Sequence, residues 1–280
     1  MPYVDTNGIR LHYLERSGDG PTLVLAPGLT ANAHFFDTLL VHLAPRLHVL
    51  AFDLRGRGRS AKPDEGYTMT DHAADIAGAL DALGLDRVVM GGHSFGGLLT
   101  YYLAAHHPER VVRAVALDAP AEVDPGILDQ IKPTLDRLEV TFPSWDEYLA
   151  RIKAMPFYDH WEWDPALEDY YRADVEDLPD GTLRARSRPG HIRQAIEGVL
   201  AVDWPAVVAR IQQPTLFIRA TGPFGPSGSP PIVSDDQAAR SLGLLPDARL
   251  REFGGNHITF LFGANAPAVA DEIVTFVMEA

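Results

Sequence analysis

The sequence predicts an α/β fold: a mostly parallel eight-stranded sheet with an antiparallel N-terminal hairpin, helices on both faces and an inserted helical cap. Three observations lead there. Short apolar runs alternate with amphipathic helical segments at both ends of the chain, which calls for a parallel sheet covered on both faces. The run Val88-Val89-Met90-Gly91-Gly92-His93-Ser94-Phe95-Gly96-Gly97 joins an apolar strand to a helix through a glycine-crowded bend. Between residues 119 and 211 the alternation stops and only helix-like segments follow one another. Residues 1–119 and 212–280 therefore read as the core, and 120–211 as a helical cap.

Tyr3–Thr6, the Asn7-Gly8 pair and Ile9–Arg16, with Ile9, Leu11 and Tyr13 alternating, form a β-hairpin on a tight turn, the antiparallel edge. Residues 22–26 (TLVLA) are a buried strand, Pro27-Gly28-Leu29-Thr30 a turn, 34–43 a helix and 47–52 the next strand. The loop Asp53-Leu54-Arg55-Gly56-Arg57-Gly58-Arg59-Ser60 raises phosphate binding as a reading, but no helix start follows its glycines at the spacing a nucleotide cradle needs. Thr70 is a good N-cap for a helix over 71–85, where Ala74, Ala77, Leu80, Ala82 and Leu83 make an apolar stripe. Residues 88–90 are a strand, 98–107 a helix closed by Pro108, and 111–117 a strand ending in Asp118.

In the cap, DPGILDQIKPTLDRL, SWDEYLARIKAM, DPALEDYYRADV and HIRQAIEGVLAV read as helices, and no strand is expected. Most of its aromatics (Phe142, Trp145, Tyr148, Phe157, Tyr158, Trp161, Trp163, Tyr170, Tyr171) are expected to pack the cap on the core, a minority lining an apolar pocket. Strand, helix and strand resume at 215–219, 234–245 and 249–253, before a final helix over 266–278.

With 24 Lys and Arg against 38 Asp and Glu, the net charge of −14 argues against nucleic acid or an anionic membrane as partner. The lack of cysteine excludes disulfides, thiolate catalysis and cysteine-ligated zinc, and no metal or cofactor is implied. Nowhere do about eighteen apolar residues run together, and MPYVDTNGIR has no apolar signal region, so a cytoplasmic location is expected. A homo-oligomer is as compatible with the sequence as a monomer.

A serine on a strand-to-helix bend has its hydroxyl pushed into the open, and the positions two before and two after it tolerate little beyond hydrogen. Gly92 and Gly96 meet that demand around Ser94. The bare pattern arises by chance in about one chain in ten of this length, so the flanking strand and helix carry the weight. The alternative is a serine that merely caps a helix. Such a hydroxyl becomes nucleophilic at neutral pH only when an imidazole takes its proton. Among eleven histidines, His106 and His107 sit on a helix facing apart, and His160 and His191 lie in the cap. His257 follows a strand, in a glycine-containing turn at the sheet edge where Ser94 lies, and is the favoured base.

Pro27-Gly28-Leu29, Asp53 to Ser60, Gly92-His93-Ser94-Phe95-Gly96-Gly97 and Gly254-Gly255-Asn256-His257 together resemble the motifs of the α/β-hydrolase superfamily, and the likeness covers nearly all of the chain outside the cap. The resemblance implies a nucleophile, acid and histidine in that chain order, each at the carboxyl end of a strand. Most relatives carry the acid after the strand corresponding to 215–219, but here 221–230 (TGPFGPSGSP) holds no carboxylate. Asp118, at a position similar to that used by some haloalkane dehalogenases and lactone hydrolases, is the expected acid. Asp235 and Asp236 are rivals at a helix start, where the macrodipole favours acids regardless of function, and Glu122 and Asp124 are others.

The backbone N–H groups of Leu29 and Phe95 are expected to form the oxyanion hole, with Pro27-Gly28 standing where relatives often have His-Gly. What the resemblance implies is a Ser-His-Asp hydrolase, without cofactor, for a small or medium apolar ester or lactone. Serine at the elbow argues against epoxide hydrolysis and dehalogenation, which use a carboxylate nucleophile in this superfamily. Hydrolysis of a diketone carbon–carbon bond, cofactor-free perhydrolysis and a ligand receptor on the same scaffold stay open.

Overall fold

A computed structural model describes residues 2–123, 126–159, 161–226 and 228–279. The strands in chain order are β1 (Tyr3–Thr6), β2 (Ile9–Arg16), β3 (Thr22–Ala26), β4 (His48–Phe52), β5 (Val88–His93), β6 (Val111–Leu117), β7 (Thr141–Phe142), β8 (Val175–Asp177), β9 (Leu183–Ala185), β10 (Thr215–Ala220) and β11 (Ala248–Phe253). The α-helices are α1 (Asp37–Leu43), α2 (Met69–Ala82), α3 (Phe95–His106), α4 (Ile127–Asp136), α5 (Trp145–Lys153), α6 (Pro165–Asp174), α7 (Pro189–Leu200), α8 (Trp204–Val208), α9 (Asp235–Leu244) and α10 (Asn265–Met278).

Eight strands make one sheet in the order β1-β2-β4-β3-β5-β6-β10-β11. β1 and β2 pair antiparallel, as do β2 and β4, and every later neighbour is parallel. Every residue of β5 and β10 is buried, as expected for central strands covered on both faces. α1 packs on α10, while α2 and α8 pack on α3, so helices cover both faces. The register sets Gly92 of β5 between Ala26 of β3 and Ala116 of β6, and pairs Leu117 of β6 with Ile218 of β10. Four strands thus end side by side, and the loops that leave them are neighbours. Among the described residues, no helix is long and apolar enough to cross a membrane.

The structure corrects the sequence reading at several points. The segment 120–211 is not purely helical, because β7, β9 and β8 form a small antiparallel sheet. Strands of two or three residues are too short to display a period of two. The legible signal was Leu178-Pro179-Asp180-Gly181-Thr182, a turn in which Gly181 takes φ 85° and Leu178 N–H donates to Thr182 O at 2.8 Å. α2 begins earlier than expected: Thr68, not Thr70, is the N-cap, in a reciprocal capping box with Asp71. The Thr70 hydroxyl instead bonds Tyr102 Oη at 2.8 Å. β5 runs on to His93 and α3 starts at Phe95, since the elbow glycines belong to the elements that the apolar runs underestimated. Asp124 and His160 lie outside the described residues.

The cap position separates the two threonines. Thr68→Ala should lower unfolding stability by about 1 kcal/mol in urea titration, and Thr70→Ala by less than about 0.5 kcal/mol. The reverse ranking would place the helix start where the sequence first suggested it.

Candidate active site

The bend between β5 and α3 holds Ser94 at φ 53° and ψ −115°, a sparsely populated conformation for a residue with a side chain. A Cβ on Gly96 would run into the backbone carbonyl of Ala26, and one on Gly92 into the carbonyl of Gly96. Ser94 N–H donates to Leu117 O at 2.9 Å, which ties the bend to the end of β6.

The residue that follows β6, Asp118, also has positive φ, 48°, and its N–H donates to Ile218 O at 2.7 Å. This turn sends its buried carboxylate towards the turn after β11, where Oδ2 lies 2.6 Å from His257 Nδ1. The other oxygen, Oδ1, accepts from Ala220 N–H at 2.9 Å. β10 thus contributes a backbone donor to the carboxylate that follows β6. Of the rivals, Asp235 is exposed and paired with Arg219 at 2.5 Å, and Glu122 pairs with Arg240 at 2.9 Å. Asp236 lines the same cavity as Ser94 without a hydrogen bond to His257.

The turn carrying His257 is fastened from two sides. His93 Nε2 lies 2.8 Å from His257 O and so carries the proton, with its ring 4.4 Å from the His257 ring. Asn256 Nδ2 donates to Phe157 O at 2.6 Å, and its Oδ1 accepts from Ile258 and Thr259 N–H groups. Phe157 stacks at 4.4 Å on Phe224, whose edge meets the His257 ring. Burial, and then the neighbouring His257, push the pKa of His93 well down, so it stays neutral.

Ser94, Asp118 and His257 line a cavity of about 430 Å³, together with Leu29 and Phe95. Phe95 occupies the first helical position, whose N–H has no intrahelical acceptor. Leu29 N–H makes no hydrogen bond among the described residues. The walls are aliphatic, with Ile127 and Ile131 from α4, Ile196 and Val199 from α7, and Leu98 from α3. None of the ten Phe, Trp and Tyr residues of the segment 120–211, Trp204 included, lines this cavity, which corrects the expectation that a minority would. Most of them join the main core, as expected, and some also bond one another, as Tyr158 and Tyr171 do through their hydroxyls at 2.8 Å. The polar rim is Gln130, Ser234, Asp236, Gln237 and Arg240.

The arginines of the loop after β4 are not a phosphate cradle. Arg55 forms a fork with Asp75, with Nε to Oδ2 at 2.6 Å, and buried Arg57 donates from Nε to Leu29 O at 2.9 Å. Sequence reasoning singled out neither Arg57, His93 nor Asn256 for the site. An arginine between glycines looks solvent-facing, and His93 and Asn256 carry no local signal beyond standing next to Ser94 and His257.

A family model described as the alpha/beta hydrolase fold matches residues 21–264. The chain is 30% identical over 247 residues to 2-(acetamidomethylene)succinate hydrolase of Mesorhizobium japonicum, covering 87% of this chain and 83% of that enzyme. It is also 30% identical over 218 residues to epoxide hydrolase A of Mycobacterium tuberculosis, covering 75% of this chain and 62%, less than two thirds, of that enzyme. The crystal structure of E-2-(acetamidomethylene)succinate hydrolase matches with a TM-score of 0.83 at 25% identity, over 100% of this chain and 98% of that one.

Two outcomes follow from this packing. Because the obstacle is backbone, Gly96→Ala should destabilise the fold by about 2 kcal/mol or more in urea. Gly190→Ala, where an added Cβ meets nothing within 4 Å, should be neutral or slightly stabilising. The second concerns pH. His93 has a folded pKa below the ordinary 6.5, so above that pH both states are neutral. Below it the unfolded chain takes up a proton that the folded one refuses, and stability falls by up to about 1.4 kcal/mol per pH unit. His93→Gln should therefore lose less stability than wild type between pH 7.5 and 5.5, as read by urea midpoints; equal slopes would show that His93 titrates normally.

Proposed function

Because the chain belongs to the alpha/beta hydrolase fold family, we propose that it is a serine hydrolase that cleaves a small or medium, uncharged carboxylic ester or lactone through an acyl-enzyme on Ser94. The observation that carries this reading is the 2.6 Å bond from His257 Nδ1 to buried Asp118, with His257 and Ser94 on one cavity. A carboxylate on Nδ1 fixes the proton there and leaves Nε2 free to accept the serine proton.

Ser94 Oγ attacks the carbonyl carbon while His257 takes its proton, and Asp118 stabilises the imidazolium that results. The carbonyl oxygen gains its negative charge between the N–H groups of Leu29 and Phe95. His257 returns the proton to the leaving alcohol, then activates the water that releases the acid. The segment 120–211 acts as a cap, with α4 and α7 roofing the acyl site.

Substrate class is argued from the lining. A cavity of about 430 Å³ with aliphatic walls suits a short to medium apolar group. Its one cationic lining residue among those described, Arg240, is paired with Glu122 and lies beside Asp236 on the rim. A dicarboxylate such as the Mesorhizobium enzyme's name specifies has no free cation to receive it, which favours neutral substrates. Nor does the reaction named for the Mycobacterium enzyme carry over, since epoxide opening needs a carboxylate at the position of Ser94.

Steady-state hydrolysis of p-nitrophenyl esters, with mass spectrometry of a fluorophosphonate adduct, tests the assignment. Ser94→Ala should lose turnover by roughly a millionfold and fail to label. Asp118→Asn should lose roughly a thousandfold or more, and Asp235→Asn and Asp236→Asn should stay near wild type. Activity retained in Asp118→Asn but lost in Asp236→Asn would move the acid to α9.

A further inference from the structure

A cation with no counter-ion among the described residues stands behind the proposed oxyanion hole. Arg57 is completely buried. Its Nε donates to Leu29 O at 2.9 Å, and its Nη1 to Arg55 O at 2.7 Å and His72 Nε2 at 2.9 Å. Its Cζ lies 4.9 Å from the centroid of the Phe95 ring. One guanidinium thus touches both residues whose N–H groups are the proposed oxyanion donors.

The other two arginines with buried guanidinium forks in this region each have a carboxylate: Arg55 has Asp75, and Arg137 has Asp174. Arg57 has none among the described residues, and its Nη2 meets no protein acceptor there. His72 brings no negative charge and is itself neutral. Its Nδ1 lies 2.8 Å from Thr68 O and so donates, Nε2 accepts from Arg57, and burial followed by the charge of Arg57 push its pKa well down. An unpaired cation in a protein interior is strongly unfavourable, and a structural core would pair it or replace it with an apolar group. Retaining it makes physical sense where negative charge is to appear nearby.

We propose that Arg57 is a positioning residue for the oxyanion hole, holding the Leu29 peptide and supplying a permanent positive field behind the two N–H donors. The inference rests on the serine-hydrolase reading above. A neutral ester gains little from that field, whereas the tetrahedral oxyanion gains much, so the effect falls on kcat rather than KM.

Three variants test it: Arg57→Met removes the charge, Arg57→Lys keeps it, and His72→Glu supplies the missing counter-charge. With p-nitrophenyl esters, Arg57→Met should lower kcat by about 30-fold, less than loss of a direct oxyanion donor costs. KM should stay within about threefold, and affinity for a trifluoromethyl ketone should fall in step with kcat. Arg57→Lys should recover most of the loss. If Arg57→Met does not fold, His72→Glu decides. Pairing the guanidinium should hold or raise the melting temperature while kcat falls by about tenfold. A folded Arg57→Met with wild-type kcat, or a His72→Glu protein that is stable and fully active, overturns the inference and leaves the serine-hydrolase reading standing. A wild-type protein inert to both esters and fluorophosphonate overturns both.

Discussion

The lack of space between the carbonyl of Ala26 and the α-carbon of Gly96 is the constraint on which the remainder of the site depends. Ala26 ends β3 and Gly96 is the second residue of α3, and the register sets Ala26, Gly92 and Ala116 in one row across the sheet. With neighbouring strands roughly 4.8 Å apart, the loop after β3, the bend after β5 and the turn after β6 cannot avoid one another. The first carries Leu29, the second Ser94 and the third Asp118. A parallel sheet gathers all these exits at one edge, and the missing side chains at 92 and 96 let them close up. The price of the arrangement is local: Ser94 and Asp118 are two of only three residues other than glycine with positive φ among those described.

The conformation of Asp118 shows how a carboxylate can sit just after β6 when the loop after β10 has none. A left-handed residue costs roughly 1–2 kcal/mol, offset by bonds of its N–H to Ile218 O, its Oδ1 to Ala220 N–H and its Oδ2 to His257. Two of the three come from β10 itself. Relieved of a carboxylate, the loop after β10 turns its backbone to another use. Gly222 N–H donates to Gly255 O at 2.8 Å, with no room for a Cβ at Gly222, so the loop closes directly on the turn that carries His257.

What could be read from the chain follows the range of the interactions involved. The eight core strands, the bend at Ser94 and the turn at His257 are written in local patterns, namely apolar runs, glycines at fixed offsets and a helix beginning at once. Asp118 could be singled out because a strand ends there, but only the fold brings its carboxylate to His257 across 139 positions of sequence. Long-range burial left no such trace. Arg57 has the composition of a surface loop, yet it is a core residue because Leu29 O, Arg55 O and His72 absorb its donors. The aromatics of the segment 120–211 misled for the opposite reason. Most do pack on the core as expected, but the minority expected in the pocket is replaced there by Ile127, Ile131, Ile196 and Val199, an aliphatic pattern at helical spacing that any amphipathic helix shares.

The segment 120–211 is bound to the site unevenly. On one side it is sewn to the loop after β3. Arg137, in a buried pair with Asp174, donates from Nη2 to Thr30 Oγ1 at 3.2 Å, Ser187 Oγ donates to Thr30 O at 3.3 Å, and Leu29 packs against Leu138, Ala185 and Ile192. On that side the segment cannot shift without moving the peptide that Arg57 holds from below. On the other side α4 has no fully buried residue, and Ile127 and Ile131 line the cavity while packing, half-buried, against the main core. Local opening is cheapest where the fewest apolar contacts are lost. The same stretch of chain therefore combines a part that shares its hydrogen bonds with the loop after β3 and a helix, α4, whose apolar side chains are only half-buried and which meets the first part through Leu135.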